Sequence, residues 1–89
     1  MRLIIAGDEE QARACANIKG LTREEWRRVQ SVGDLQSSKL REGEPVLLFG
    51  SYRQRYVLTI REMFDVIRAR GGTTEEVVDG RLTGEPRRQ

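Results

Sequence analysis

The run Gly50-Ser51-Tyr52-Arg53-Gln54-Arg55-Tyr56 gathers more chemistry than any other stretch of this chain, with a hydroxyl, two guanidinium groups and two phenol rings. Arginine forks bind anions bidentately, and a helix start adds unpaired amide donors. Gly50, Ser51, Tyr52, Arg53 and Arg55 therefore suit a phosphate, a nucleotide or an acidic protein surface. The competing reading is a solvated connector with Tyr52 or Tyr56 folded back on the core. A second candidate is Gly7-Asp8, which runs into Glu9-Glu10. These acids could hold a metal or act as a base. Consecutive acids on a first helical turn point in different directions, however, so the stronger reading makes Asp8 a helix cap and the glutamates partners of the helix dipole.

Much chemistry is excluded by what the chain lacks. Histidine is absent and Cys15 is the single cysteine, which removes the usual zinc sites, Ser-His-Asp triads, Cys-His dyads and any internal disulfide. Cys15 stands among alanines and reads as an inert core residue. The P-loop pattern and the dinucleotide glycine fingerprint are missing too. No enzyme activity, cofactor or metal is expected.

The elements that must position the two candidate turns follow from hydrophobic pattern. Leu3-Ile4-Ile5-Ala6 and Val46-Leu47-Leu48-Phe49 are apolar runs that end at Gly7 and Gly50 and give way to helical patterns. Such runs suit parallel strands covered on both faces, and ligands of open parallel sheets bind beyond the strands' carboxyl ends. A helix follows Asp8, with Ala12, Cys15 and Ala16 on one stripe and Gly20 as its stop. Residues 22–31 carry conflicting signals. Thr22 with Glu25 forms a capping box and Leu21 with Trp26 a hydrophobic staple, which favour a helix from Arg23. Topology asks for a second strand between the first and third, and a strand over 26–30 with Trp26 at a sheet edge is the favoured reading.

Asp34 reads as the cap of a short helix running to Leu40, ended by Gly43 and Pro45. Val57, Ile60, Met63, Phe64 and Ile67 recur at helical spacing and predict an amphipathic helix over 57–70, closed by Gly71-Gly72. Thr74 to Val78 reads as a fourth, partly exposed strand. The fold expected is α/β: a small Rossmann-like three-layer domain with a short, mainly parallel sheet of three or four strands, occupying residues 1–80, with a flexible tail over 81–89.

Charged residues make up 34 % of the 89 positions, hydrophobic ones 37 %, and the formal net charge is +2. That describes one small globular domain with a marginal core, which oligomerisation would help. No apolar run approaches a membrane span and no signal peptide is seen, so a cytoplasmic location is expected. Lys19 and Lys39 are the only lysines. The arginine excess reflects either genome composition or phosphate recognition. Arg27 with Arg28, and Arg87 with Arg88, could extend a basic surface, though the interspersed acids make them ordinary solubilising charge.

The pieces Leu3–Gly7, Glu9–Ile18, Glu25–Val32, Asp34–Leu40, Val46–Gly50 and Ile60–Gly71 together resemble small α/β proteins of actinobacteriophages, of the mycobacteriophage type. That resemblance implies a phage-encoded accessory protein in the bacterial host cytoplasm and carries over no site residues. The turn at Val46–Arg53 is also similar to the strand–glycine–helix turn of nucleotide-binding Rossmann-like domains of the SLOG type, from which it departs in placing Tyr52 between Ser51 and Arg53. The expected function is non-enzymatic binding of a host protein or of a second copy. The alternatives are a nucleotide or phosphate ligand at the strand carboxyl edge, or weak nucleic-acid contact through arginines.

Overall fold

A computed structural model describes residues 1–41 and 43–78. The tail expected over 81–89 lies outside the described residues. The order of elements is β1 (Arg2–Ala6), α1 (Glu9–Ile18), a 3-10 turn (Arg23–Glu25), β2 (Trp26–Arg28), α2 (Val32–Gln36), β3 (Val46–Phe49), α3 (Tyr52–Arg55), α4 (Ile60–Ala69) and β4 (Thr74–Glu76). All strand pairs are parallel and the sheet order is β2-β1-β3-β4. The small parallel α/β domain expected from the apolar runs is therefore present. β1 and β3 are adjacent, with Ile4 opposite Leu47 and Ala6 opposite Phe49.

Strand alternation sorts the apolar residues into two cores. Leu3, Ile5, Val46 and Leu48 face Leu35, Tyr52, Met63 and Ile67 of the second, third and fourth helices, and Tyr56 just past the third. Ile4, Ala6 and Leu47 face the small side chains Ala12, Cys15 and Ala16 of α1, with Trp26 beside them. Small residues let α1 lie close to the sheet, and its stripe is as the spacing predicts. Asp8 caps α1 by accepting the Gln11 amide at 2.8 Å, and Gly20 leaves the helix at φ +72°.

The conflict over residues 22–31 is resolved by using both signals in succession. The Thr22–Glu25 capping box is formed, but it closes only a single 3-10 turn. Trp26 then enters β2, which is shorter than the 26–30 expected. Val29 N–H still donates to Ile4 carbonyl at 2.8 Å, so pairing runs one residue further. Trp26 is buried, and the Arg23 guanidinium lies 4.6 Å from the centroid of its ring.

Three expectations are corrected. Asp34 does not begin α2: Ser31 is its cap, accepting the Asp34 amide, while Asp34 reaches back to accept the Gln30 amide at 2.8 Å. The cap thus lies three residues earlier than expected, with the Asp34 side chain bonding one residue beyond it, and the helix ends at Gln36 instead of Leu40. The helix expected over 57–70 begins at Ile60. Val57, Thr59 and Ile60 are β-branched and weaken helix at this junction, so Val57 and Leu58 stay on an exposed turn. Finally, the stretch after Ser51 is not an open turn, because Tyr52–Arg55 forms the short helix α3. β4 covers Thr74–Glu76 of the expected 74–78, and Val77 N–H extends its ladder to Leu48 carbonyl at 2.8 Å.

Two measurements check this packing. Ile67 is buried at the centre of the larger core, and Ile67→Ala should lower the unfolding free energy by ~2–5 kcal/mol in denaturant titrations. Burial pushes the Cys15 thiol up to about 11 from its ordinary 9.0, the charges of Lys19, Glu75 and Arg2 being lesser influences. A folded-state value raised in this way leaves stability intact below pH 9.0 and removes it as pH climbs toward about 11, because the unfolded chain releases the proton first. Unfolding followed from pH 8 to about 11 should show this loss, and Cys15→Ala should flatten the slope.

Candidate functional site

Strand order reverses between β1 and β3, since the chain goes from β1 to one neighbour, β2, and returns to place β3 on the other side. The two loops that leave the carboxyl ends of these central strands diverge here, and ligands of such sheets bind in that crevice. Its walls are Gly7-Asp8, entering α1, and Gly50-Ser51, entering α3.

Gln11, on the first turn of α1, folds its carboxamide back into this crevice. Its Oε1 accepts the Gly7 amide at 2.8 Å and the Ser51 amide at 3.0 Å. Its Nε2 donates to Ser51 Oγ at 3.1 Å. Two backbone donors from different loops thus converge on a single oxygen. The approach is so close that a Cβ on Gly7 would overlap Ser51 Oγ and Gln11 Oε1, and one on Gly50 would overlap the Gln11 carboxamide. Gly50 also holds φ at +70°, where side chains are strained. Gly50 is thus required by its backbone, whereas a side chain at Gly7 would have to displace the Gln11 carboxamide and the Ser51 hydroxyl.

The charge around the crevice is mixed. Asp8 contributes a carboxylate, occupied by the Gln11 amide. Arg28, at the end of β2, reaches over with Nη2 at 3.4 Å from both the Gly7 carbonyl and the Tyr56 hydroxyl. Its Nε is buried with no hydrogen-bond partner. The guanidinium therefore stands against the Gly7 side of the crevice through Nη2. Glu9 is drawn the other way, toward Arg13 at 3.8 Å and Arg23 at 3.9 Å.

Of the residues singled out by sequence, Gly7, Gly50 and Ser51 are brought together and Asp8 borders them. The other three serve different ends. Tyr52 is buried in the larger core and donates from its hydroxyl to Glu76 Oε1 at 2.8 Å. Burial, and then the Glu76 carboxylate, raises its phenol above the ordinary value. Tyr52 therefore ties α3 to the end of β4 and offers no face to a ligand. The Arg53 guanidinium lies over the rings of Tyr52 and Phe64, 5.3 and 5.9 Å from their centroids. Arg55 is exposed. Neither arginine forms an anion clamp with the glycines.

Sequence reading missed Gln11 and Arg28. The spacing Asp8-x-x-Gln11 is that of a capping box, which could have flagged Gln11; its side chain goes one residue further back, to Gly7 rather than Asp8. For Arg28 no local signal exists, because its role depends on β2 lying beside β1. Three surface cavities of about 410, 550 and 160 Å³ lie elsewhere; Gln11 fills the crevice itself. Among the described residues no three acidic, Cys or His side chains gather to hold a metal, and no helix is long and apolar enough to cross a membrane.

No protein-family model, curated protein or solved structure matches the chain.

The crowding of Gly50 against Gln11 can be measured as a coupling. Gly50→Ala should cost about 1–2 kcal/mol from the left-handed backbone alone, and more from overlap with the carboxamide. In a Gln11→Ala background the second part should disappear. A double-mutant cycle from urea denaturation should therefore show the two changes to be non-additive by about 0.5–3 kcal/mol, the range for residues in contact.

Proposed function

We propose that this protein is a non-enzymatic binding domain whose ligand is a phosphate group, free or carried by a nucleotide, held at the crevice between β1 and β3. The observation that carries this reading is the convergence of the Gly7 and Ser51 amides on one oxygen. That arrangement suits any acceptor, and Gln11 supplies a neutral one from within the chain. A phosphate oxygen is a stronger acceptor: hydrogen bonds to charged groups contribute about 1.5–3 kcal/mol against about 0.5–1.5 for neutral pairs. Exchange of the carboxamide for a phosphate oxygen is thereby favourable at each donor. The Arg28 guanidinium beside Gly7 offsets the Asp8 carboxylate.

A second reading is favoured by a different observation. Val57 and Leu58, 69 % and 93 % exposed, form an apolar knuckle between α3 and α4, close in sequence to exposed Arg53 and Arg55. An exposed apolar pair beside arginines on a projecting turn suits a host protein, as for an accessory protein of the kind the phage resemblance implies.

Calorimetric titration with inorganic phosphate and with AMP separates the two. If Gln11 is a placeholder, Gln11→Ala should bind phosphate at least about tenfold more tightly than the parent, a gain of about 1.4 kcal/mol. Leu58→Ser should leave that binding unchanged. Absence of phosphate binding in both the parent and Gln11→Ala sinks the ligand reading. Loss of a captured host protein on Leu58→Ser would then favour the knuckle.

A further inference from the structure

The opposite, amino-terminal end of the sheet carries a division of charge that the crevice does not use. Successive residues of β1 point to opposite faces, and the recesses on the two sides of its start differ in sign. One recess, of about 550 Å³, is lined by Met1, Arg2, Leu21, Glu24, Glu25 and Glu44. The other, of about 160 Å³, is lined by Met1, Leu3, Arg27, Ser38, Lys39 and Arg41. Among the described residues, three carboxylates against one guanidinium line the first side, and three cations with no carboxylate the second. Met1, 63 % exposed, lies between them.

Among the described residues these charges are not spent on ion pairs. The ion pairs of the described residues join Arg13 and Arg23 to Glu9, Lys19 to Glu75 and Arg68 to Asp65. None involves Glu24, Glu25, Glu44, Arg27, Lys39 or Arg41. The basic side is also pre-positioned. Arg27 donates to the Asp34 carbonyl and Ser38 Oγ, and Arg70 donates to the Gln36 and Ser38 carbonyls. Neutral acceptors thus hold both guanidiniums at the end of α2 without cancelling their charge. On the acidic side, Glu25 is fixed by accepting the Thr22 amide, which keeps its carboxyl below the ordinary value and so ionised.

An acidic and a basic recess side by side, separated by an apolar residue, are complementary to the same surface turned through a half-rotation. We propose that a second copy of this chain docks here, amino-terminal edge to amino-terminal edge, about a two-fold axis that lies in the plane of the sheet, perpendicular to β1, and passes near Met1. In such an isologous contact the acidic recess of each copy faces the basic recess of its partner, and the two Met1 side chains meet at the axis. A nucleic-acid backbone fits less well, because the neighbouring carboxylates repel it. The contact is at the far end of the strands from the crevice between β1 and β3, and it stands whether or not that crevice binds phosphate.

Sedimentation velocity of the full chain, at low ionic strength and again near 0.5 M salt, tests this. The parent should move toward the mass of a dimer at low salt and return to monomer as salt screens the contact, since the screening length falls below about 8 Å above physiological ionic strength. Lys39→Glu with Arg41→Glu should be monomeric, as should Glu24→Lys with Glu44→Lys, each variant keeping the parent's circular dichroism. Mixing the two variants should restore a dimer, because one then carries acids on both sides and the other cations on both. A parent that stays monomeric at low salt overturns the proposal, as do variants that dimerise alone or a mixture that does not. A monomeric parent that binds duplex DNA through Lys39 and Arg41 would assign the basic recess to phosphate backbone instead, and would also overturn it.

Discussion

The carboxamide of Gln11 is the contact on which the arrangement of the carboxyl edge depends. It joins the loop after β1 to the loop after β3 at the one place in the sheet where the connections part in opposite directions. Parallel strands are hydrogen-bonded along their lengths, but the amides just past their ends have no ladder partner. A single acceptor that satisfies two such amides sets the spacing of the loops, and the absence of a Cβ at Gly7 and Gly50 is what lets it come close enough.

The rest of the carboxyl edge is arranged around that tie. Ser51 is held by Gln11, so α3 begins immediately at Tyr52 and sends Tyr52 and Tyr56, four residues apart, into the same core. Their hydroxyls are then used laterally: Tyr52 toward Glu76 of β4, Tyr56 toward the Val29 carbonyl beyond β2. The two outer strands are short, and each receives from these phenols a contact that its own few ladder bonds do not provide. Arg28 reaches Tyr56 and Gly7 from the same end of β2. Polar groups that look like a binding set in one dimension are mostly structural braces in three.

That difference explains what could be read from residue order. The β1 and β3 runs, the α1 stripe and the apolar face of Ile60, Met63, Phe64 and Ile67 were legible because periodicity and burial are local properties. Residues 22–31 were ambiguous because a valid helix signal at Thr22–Glu25 is cut short by the demand for a strand, a demand made by neighbours distant in sequence. The start of α2 was misplaced because Ser31 and Asp34 both fit a cap, and only hydrogen-bond geometry orders them. At the candidate site the glycines were legible from strand-end pattern. Tyr52 was ambiguous because a phenol serves equally as core and as ligand contact. Gln11 and Arg28 reach partners 40 and 21 positions away, respectively; the capping-box spacing to Asp8 marks Gln11 only as a helix-start residue, and nothing local marks Arg28.

The two ends of the sheet solve different problems with different chemistry. At the carboxyl end the donors are backbone amides fixed by the fold, so selectivity there rests on what displaces one neutral carboxamide. At the amino end the groups are exposed side chains whose charges face one another only through a second copy. Backbone donors give a short-range site that salt screens little, whereas separated surface charges act over a Debye length and weaken steeply with salt. A two-fold axis perpendicular to β1 at its amino-terminal end would leave both crevices pointing outward, at opposite ends of the pair. Ligand capture and pairing would then be mechanically independent, joined only through the central strand, whose buried residues Ile4, Ile5 and Ala6 are too tightly packed to transmit more than a rigid-body displacement.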